Sequence, residues 1–433
     1  MTVWKLGCRW GAGKPPLFFD YLRKKSFVIG VEDKEYSIGD HILLTDGFTA
    51  IGVAVVLSGP KCVTDDPSLE AEFESFKIDY DSWVSTYKAK IYELKEQDRF
   101  QYQTRQGIVK IGQEETWEKV IILFSKYKRG YLMNEIVDIL KNKKQIIIQG
   151  APGVGKTYAT KEIALRIMGE EIPESREDLN NMYREAVSRG QIVFCTFHQS
   201  MDYEDFVEGY KPGIGENGQP VFELIDGPFK EICKSCFKSD NRKPHVLIID
   251  EINRGNVSKI FGELITLLET DKRESEDGKS GETLSVSLTY SHVNMTVPHN
   301  LFIIGTMNTA DRSLGQIDYA LRRRFAFIEL NADIRVLEQY YNERPSGPKK
   351  FALDRFSAVK NFLESQGNVN QDFDVQNIMI GHSYFMAKDE PELSIKMRYE
   401  VIPLLEEYRR DGILNCKATD EAYKTLLGEL KSE

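Results

Sequence analysis

A chain of 433 residues is too long for one hydrophobic core, so we expect two or three domains. Its hydrophobic content of 41%, with 11% aromatic residues, is enough for packed cores and excludes a largely disordered protein. The formal net charge of −10 excludes a polycation that coats nucleic acid, so any DNA contact must come from a local patch.

Cysteine usage and hydropathy exclude further classes. The six cysteines are scattered, and "CKSC" at 233–236 has no second pair or histidine partner, which favours a buried helix face over zinc or a redox pair. No secretory apolar region follows Met1, and no apolar run approaches the roughly 18 residues of a membrane span. We therefore expect a reduced, cytoplasmic protein without a membrane contact.

Residues 1–105 are predicted to form a small β-rich domain. "PLFFDYLRKKSFVIG" is typical of a short helix that leads into a strand, and "GDHILLTDGFTAIGVAVVLS" predicts two strands around Asp46 and Gly47. This strand pair resembles those of PUA-like or EVE-like barrels, which hold a flipped or modified base, so DNA with modified bases is the expected ligand. A protein-interaction barrel is the alternative.

Aromatic side chains would stack on such a base. The candidates are Trp4, Trp10, Phe18, Phe19 and Trp83. Each of them, taken singly, is better explained as a core residue, because aromatic residues dominate small cores.

Residues 106–130 are mixed and charged and are predicted as a linker, and "YLMNEIVDILKNKK" at 131–144 has helical spacing. Apolar β runs then alternate with helical stretches; they are "QIIIQG", "IVFCTF", "HVLIID" and "NLFIIGTM". This predicts an α/β core over 131–330, a parallel sheet flanked by helices. Helical patterns dominate over 331–433, which predicts a helical lid. The polar stretch at 269–284 predicts an exposed loop.

"GAPGVGKT" at 150–157 matches the phosphate-binding loop GxxxxGK[ST] and lies between a predicted strand and a predicted helix, as that motif requires. Glycines let its backbone N–H groups surround phosphate oxygens, and the helix N-terminus adds positive potential. Lys156 is expected on the β- and γ-phosphates and Thr157 on Mg²⁺. The whole loop consists of Gly150, Ala151, Pro152, Gly153, Val154, Gly155, Lys156 and Thr157.

Carboxylates and an amide follow two further predicted strands. "HVLIIDEIN" ends in Asp250, expected in the Mg²⁺ shell, and Glu251, expected to orient the attacking water; a capping or salt-bridging role is the alternative for Glu251. Asn308 follows "NLFIIGTM" at the edge where parallel sheets bind ligands, so its amide can hold the water or sense the γ-phosphate. "NTAD" also has the N-x-x-D spacing of guanine readers, but Asp311 follows the strand too closely to reach a base easily, so a catalytic or sensor role is favoured.

Three adjacent arginines, Arg322, Arg323 and Arg324, follow a short helical segment. They cannot all face the phosphates of their own subunit. At least one is therefore expected to reach the nucleotide of a neighbouring subunit, as an arginine finger supplied in trans. A solvated basic face is the alternative for Arg322.

Several motifs together resemble the McrB family, the AAA+ motor subunits of modification-dependent restriction systems. They are "GAPGVGKT", "LIIDEINRGNVSKIFGELITLLE", "GTMNTADRS", "DYALRRRF" and "IGHSYFM", within roughly residues 130–425. The resemblance implies GTP with Mg²⁺, a homo-oligomeric, hexameric ring and recruitment of a McrC-like endonuclease. It also implies a P-loop core with a helical lid, Asn308 as the sensor and Arg323 or Arg324 as the finger.

The resemblance extends the site by a few residues. It places Asn253 at the nucleotide and implies that the lid, around His382 and Ser383, helps to read the base. Arg398 resembles a lid sensor arginine, with a surface salt bridge as the alternative. "TFHQSMDYEDFVEGYKPG" at 196–213 also resembles the family, without an assignable role for any one residue.

The sequence leaves two alternative functions open. A MoxR-like ATPase that remodels proteins would prefer ATP and bind no nuclease. A DNA-sensing module would use nucleotide only as a clamp, but the intact Lys156, Asp250, Glu251 and Asn308 argue against it. No nuclease signature is visible, so we assign DNA cleavage to a partner.

Overall fold

The computed structural model describes residues 2–9, 16–75, 78, 84–103, 107–173, 175–214, 219–238, 243–274, 282–309 and 319–431. The chain divides into two compact units, Met1–Leu132 (unit 1) and Met133–Glu433 (unit 2). No helix in the described ranges is long and apolar enough to cross a membrane.

Unit 1 is built on a six-stranded sheet. Its strands are β1 (Val3–Gly7), β2 (Phe27–Val31), β3 (His41–Asp46), β4 (Thr49–Cys62), β5 (Val84–Glu93) and β6 (Ile108–Lys110). Its helices are α1 (Phe19–Lys25), α2 (Pro67–Ser75) and α3 (Glu114–Lys143), the last of which contains the boundary between the units. The strand order is β2-β5-β4-β3-β1-β6, and β1 and β3 are parallel while the other pairs are antiparallel.

Both faces of this sheet are covered. Successive apolar side chains of a strand point to opposite faces, and each face packs in its own cluster. Ile42 and Leu44 of β3 share one cluster with Phe19 and Leu22 of α1. Leu43 belongs to a second cluster with Phe124 and its neighbours on α3. A strand with a buried side chain on each face needs apolar residues at successive positions, as "HILLTD" has.

Unit 2 contains a five-stranded sheet of parallel strands. Its strands and hairpins are β7 (Gln145–Gly150), β8 (Ile192–Thr196), β9 (Glu208–Ile214), β10 (Pro220–Asp226), β11 (His245–Asp250), β12 (Val286–Ser287), β13 (Asn294–Met295), β14 (Leu301–Asn308) and β15 (Ala326–Glu329). The order in the sheet is β15-β7-β14-β11-β8, and β9–β10 and β12–β13 are separate two-stranded pairs.

Helices cover both faces of the parallel sheet. They are α4 (Lys156–Ile167), α5 (Arg176–Ser188), α6 (Tyr203–Phe206), α7 (Pro228–Lys238), α8 (Val257–Phe261) and α9 (Tyr319–Arg324). Ile146 and Ile148 of β7 pack in a cluster with α4 and α5, and Ile147 packs in the opposite cluster with α7 and α8. Burial on both faces explains the continuous β-branched runs of the sequence.

The lid is helical and has a core of its own. Its helices are α10 (Ile334–Asn342), α11 (Lys349–Glu364), α12 (Val375–Ile378), α13 (Glu390–Lys396), α14 (Ile402–Arg410) and α15 (Glu421–Lys431). A π-helical turn, Met397–Val401, joins α13 to α14.

The predicted α/β core with a helical lid and a β-rich N-terminal part is confirmed, and details differ. The segment 106–130, expected as a linker, contains β6 and the first half of α3, whose apolar side chains are covered by the sheet of unit 1. The sequence did not predict β15, which has four residues, or the hairpin β9–β10, whose glycines and prolines hide the strand pattern. Within the expected exposed loop 269–284, Arg273 is buried.

Candidate nucleotide site

The loop between β7 and α4 has the backbone that a phosphate cradle needs. Gly153 and Gly155 have φ of 77° and 83°, a left-handed conformation that favours glycine. Gly150 is required for close packing, because a Cβ there would lie 2.2 Å from the carbonyl oxygen of Leu330. The loop ends at Lys156 and Thr157 in the first turn of α4, so helix N–H groups and the loop face the same space.

One chain of hydrogen bonds connects three of the predicted catalytic residues. Lys156 Nζ donates to the carbonyl oxygens of Gly150 and Ala151, both at 2.9 Å, and to Asn308 Oδ1 at 2.5 Å. Asn308 Nδ2 in turn donates to Glu251 Oε1 at 2.6 Å. An amide can bridge a cation and a carboxylate because it carries both an acceptor and donors. The ends of β7, β11 and β14 therefore meet through Asn308.

The predicted Mg²⁺ ligands lie beside this chain. Thr157 Oγ1 is 3.5 Å from Asp250 Oδ1, which also accepts a hydrogen bond from Thr306 Oγ1 at 2.5 Å. The same Thr306 hydroxyl accepts from the backbone N–H of Glu251 at 3.2 Å. The Thr306 hydroxyl thus bonds to both the Asp250 carboxylate and the Glu251 backbone and holds the two residues in place. A hydroxyl and a carboxylate oxygen are hard donors that suit Mg²⁺ with water completing its shell.

Glu251 is held in an unusual backbone conformation. Its φ of 53° is left-handed, which costs a non-glycine residue free energy and is found where surrounding structure enforces it. Its Oε2 is buried and makes no hydrogen bond within the described residues, although Arg254 Nε lies 3.4 Å away. Buried Asn253 likewise has an Oδ1 without a hydrogen bond in this part of the chain. Two acceptors are therefore left for a ligand or a water at this edge.

The lid touches the phosphate loop directly. The backbone N–H of Gly381 donates to Pro152 O, and that of Ser383 donates to Gly153 O, both at 3.1 Å. A Cβ on Gly381 would lie 2.1 Å from the carbonyl carbon of Gly153, so only glycine permits this approach. Buried His382 points its Nε2 towards Gly155, 3.6 Å from where a Cβ would lie. His382 and Ser383 therefore lie beside the phosphate loop, and their role in reading the base stays a prediction.

The two arginines that were predicted as alternatives for the finger differ in exposure. The Arg324 side chain is 4% exposed and its Nη2 lies 2.7 Å from Glu269 Oε1. The Arg323 side chain is 67% exposed and its Nη2 contacts the same oxygen at 3.1 Å. Arg322 is exposed and lies over the ring of Phe327. Burial leaves Arg324 no surface to offer a neighbour.

Comparison with known proteins agrees with this geometry. Residues 145–325 match the model "AAA domain (dynein-related subfamily)", and residues 367–413 match "McrB, alpha-helical lid domain". The "Type IV methyl-directed restriction enzyme EcoKMcrB subunit" of Escherichia coli (strain K12) is 37% identical over 292 residues, which are 63% of this chain and 55% of that protein.

Residues 145–325 of this chain therefore form an AAA domain, and residues 367–413 are similar to the helical lid of McrB. A second relative is the "Type II restriction enzyme BsuMI component YdiS" of Bacillus subtilis (strain 168), 29% identical over 239 residues, 48% of this chain and 62% of that protein. The chain thus spans between half and two thirds of the length of each relative.

Some of the assignments made from the sequence stay predictions. Arg398 is exposed in the π-helical turn, its guanidinium lies over the Tyr399 ring, and no contact between it and the phosphate loop is present in the described ranges. Asp311 lies outside the described residues, as do Trp10 and Trp83 of unit 1. Phe18 and Phe19 are core residues of unit 1, and partly buried Trp4 donates its indole N–H to Asp40.

The family-like segment 196–213 has a structural explanation that the sequence did not supply. Its aromatic residues Phe197 and Phe206 are buried in the core beside β11. Glu208 is fully buried, 2.5 Å from Lys230 Nζ, and also accepts from the backbone N–H of Ser291 at 2.8 Å. This pair joins β9 to α7 and to the β12–β13 loop. A glutamate and a lysine 22 residues apart carry no local signal, which is why sequence patterns missed it.

"CKSC" is accounted for as well. Cys233 and Cys236 are buried on α7, and burial raises the pKa of the Cys236 thiol to about 12. The predicted buried helix face is confirmed. Thiols that stay protonated at neutral pH are poor nucleophiles and poor metal ligands.

Proposed function

We propose that this chain is the GTP-hydrolysing motor subunit of a modification-dependent restriction system, and that it drives DNA cleavage by a McrC-like nuclease partner. The observation that carries the proposal is the bonded chain Lys156–Asn308–Glu251 at the carboxyl edge of the sheet, with a McrB-type lid seated on the phosphate loop. A structural clamp would not need the Glu251 carboxylate at this edge, with one oxygen that makes no hydrogen bond within the described residues.

Each part of this edge has a defined task. The loop N–H groups and Lys156 would bind the phosphates, and Thr157 with Asp250 would hold Mg²⁺, which supplies charge neutralisation to the β- and γ-phosphates when bound. Glu251 would take the hydrogen bond of the attacking water. Asn308 would keep the Glu251 carboxylate in place through Oε1 and leave Oε2 for that water.

The finger would come from a neighbouring copy. Arg324 O accepts from Gln145 Nε2 at 2.7 Å, so the arginines lie at the amino end of β7. The phosphate loop starts at Gly150, the other end of that strand, about 16 Å away at roughly 3.3 Å per residue. This separation supports the proposal that Arg323 serves a different subunit. A head-to-tail ring, hexameric in our proposal, offers that arrangement.

Base selection is assigned to the lid. His382 and Ser383 contact the phosphate loop at Gly155 and Gly153, which supports this assignment. We propose that backbone groups and these side chains favour guanine. We also propose that unit 1 binds DNA carrying a modified base.

Side-by-side hydrolysis assays test the proposal. The purified chain is given GTP or ATP with Mg²⁺, with and without a McrC-like partner and modified DNA. We expect GTP turnover, stimulation by the partner and cleavage only when all components are present. ATP preference with no effect of the nuclease would support the MoxR-like alternative instead, and no turnover of either nucleotide would reject both.

A further inference from the structure

A buried polar frame lies beneath the arginines, at the amino edge of the sheet. Arg273 is 2% exposed, and its guanidinium donates to Leu268 O at 3.3 Å, to Leu301 O at 2.5 Å and to the side-chain oxygen of Gln145 at 2.7 Å. Gln145 Nε2 donates to Leu268 O at 2.8 Å and to Arg324 O. The segment that ends at Leu268 and the end of α9 are therefore both bonded to Gln145, which Arg273 holds in place.

Glu269 is the next residue after this fixed segment, and its carboxylate meets both arginines. Oε1 lies 2.7 Å from Arg324 Nη2 and 3.1 Å from Arg323 Nη2. One oxygen thus bridges a buried guanidinium and an exposed one. Because Glu269 and Arg324 are both held by the frame, the carboxylate is a fixed point rather than a mobile surface charge.

The exposed arginine is held at two places. Lys143 Nζ donates to the carbonyl oxygen of Arg323 at 2.9 Å, and Glu269 holds one end of its guanidinium. A guanidinium has five donors in a rigid plane, so a contact through one nitrogen leaves the other edge free. These groups line a cleft of about 370 Å³, which also includes Asp271.

We propose that Glu269 is a positioning residue for the arginine finger: it holds the Arg323 guanidinium against the buried Arg324 so that its free edge is presented to the nucleotide of the neighbouring subunit. This rests on the proposed function, in which Arg323 acts in trans. An unrestrained arginine samples many rotamers, and restraining it beforehand avoids paying that entropy in the transition state. A carboxylate also keeps three converging cations, Lys143, Arg323 and Arg324, from repelling one another.

The first test replaces the charge and keeps the shape. In the assembled protein, Glu269→Gln is expected to lower kcat by on the order of 10²-fold, as expected for a misplaced catalytic group, with KM within about threefold of the parent. Asp271→Asn is the matched control, because it removes a carboxylate from the same cleft that contacts Lys272 and neither arginine. It should stay within about twofold of the parent.

Two further measurements separate positioning from simple damage. In an Arg323→Ala background, Glu269→Gln should cause little additional loss, because a residue that acts through Arg323 has nothing left to position. Mixing Glu269→Gln with Lys156→Ala should restore part of the activity, since Lys156→Ala subunits supply an intact finger to intact phosphate loops. A carboxylate that acted only within its own subunit would show no recovery on mixing.

A second variant controls for a loss of stability. Removing the charge of Glu269 leaves buried Arg324 without its carboxylate contact, which could lower stability. Glu269→Gln combined with Arg324→Met removes both partners of the buried pair, and it should melt near the parent while keeping the loss in kcat. Recovery of parental kcat in that double variant would overturn the proposal.

The outcomes distinguish the inference from the proposed function. If Arg323→Ala leaves turnover unchanged, the trans finger itself is wrong. If Arg323→Ala abolishes turnover while Glu269→Gln matches Asp271→Asn, only the positioning role fails. Multiplicative losses in the combined Glu269 and Arg323 variant would also reject positioning and indicate an independent structural effect.

Discussion

The carboxyl and amino edges of the parallel sheet in unit 2 use polar side chains in opposite ways. At the carboxyl edge, Glu251 and Asn253 keep acceptors without hydrogen bonds within the described residues, and Glu251 has a strained backbone. At the amino edge, Gln145 and Arg273 satisfy several carbonyl groups in the interior. Here the exposed group is a cation, Arg323.

In the ring that we propose, this difference would let one sheet serve two nucleotide sites. A strained, incompletely bonded edge is suited to bind ligand, because the ligand completes its hydrogen bonds. An edge whose buried Gln145 and Arg273 side chains are bonded to carbonyl groups is suited to present a rigid group outward. In a head-to-tail ring, the amino edge of one copy would meet the carboxyl edge of the next.

The largest expected effect tests the amino edge. Arg323→Ala should lower kcat by about 10³–10⁵-fold, the range for arginine fingers, while the nucleotide affinity of an isolated subunit stays near that of the parent. Mixing this variant with Lys156→Ala should restore part of the turnover, because some interfaces join an intact loop to an intact finger. No recovery, with assembly confirmed by sedimentation, would refute action in trans.

The carboxyl edge is tested by Glu251→Gln. Loss of the base that activates water should lower turnover by about 10²–10⁴-fold and spare nucleotide binding. Mixing Glu251→Gln with Arg323→Ala should restore activity, because the Arg323→Ala subunits have an intact carboxyl edge and the Glu251→Gln subunits supply an intact finger. Mixing Glu251→Gln with Lys156→Ala should not, because both variants have a damaged carboxyl edge. Recovery of activity in the second mixture would refute the assignment of Glu251 and Lys156 to the same nucleotide site.

The buried pair of Glu208 and Lys230 lies at neither edge and should affect stability more than chemistry. Lys230→Met leaves the Glu208 carboxylate buried without its cation and should lower the free energy of unfolding by about 3–5 kcal/mol. Denaturant unfolding at neutral pH checks this. A change under 1 kcal/mol would show that water replaces the lysine.

The pH dependence of that pair has a defined sign. Burial raises the pKa of Glu208, but hydrogen bonds from Lys230, Ser291 and Tyr290 outweigh it, and the pKa lies below the ordinary 4.5. A lowered pKa means that the stabilisation is complete above pH 4.5 and is lost as the pH falls through the folded-state pKa. The difference between parent and Lys230→Met should therefore shrink in acid; a constant difference would contradict the assignment.

The smallest effect is expected from unit 1, which belongs to neither edge. Residues 1–132 contain their own apolar clusters and should bind DNA with a modified base several-fold better than unmodified DNA, with an affinity that falls as salt rises. Fluorescence anisotropy over a salt series measures both. Equal and negligible binding to every modification tested would favour the protein-interaction barrel.

The sequence by itself determined the local parts of this protein. Gly153 and Gly155 mark a backbone that few other residues adopt, and β-branched runs that end in Asp250-Glu251 and Asn308 predict buried strands with polar ends. Parallel strands share one carboxyl edge, so these residues had to converge. That much follows from spacing and residue type alone.

Only the tertiary structure decided which neighbours each side chain meets. The sequence could not choose between Arg323 and Arg324; burial of the second beside Glu269, 55 residues earlier, makes the distinction. It also could not show that Arg273, in a charged and loop-like stretch, is buried. Its guanidinium bonds to the carbonyl oxygens of Leu301, the first residue of β14, and of Pro298, just before that strand. Such contacts join positions far apart in the chain, and no local pattern records them because their energy depends on burial.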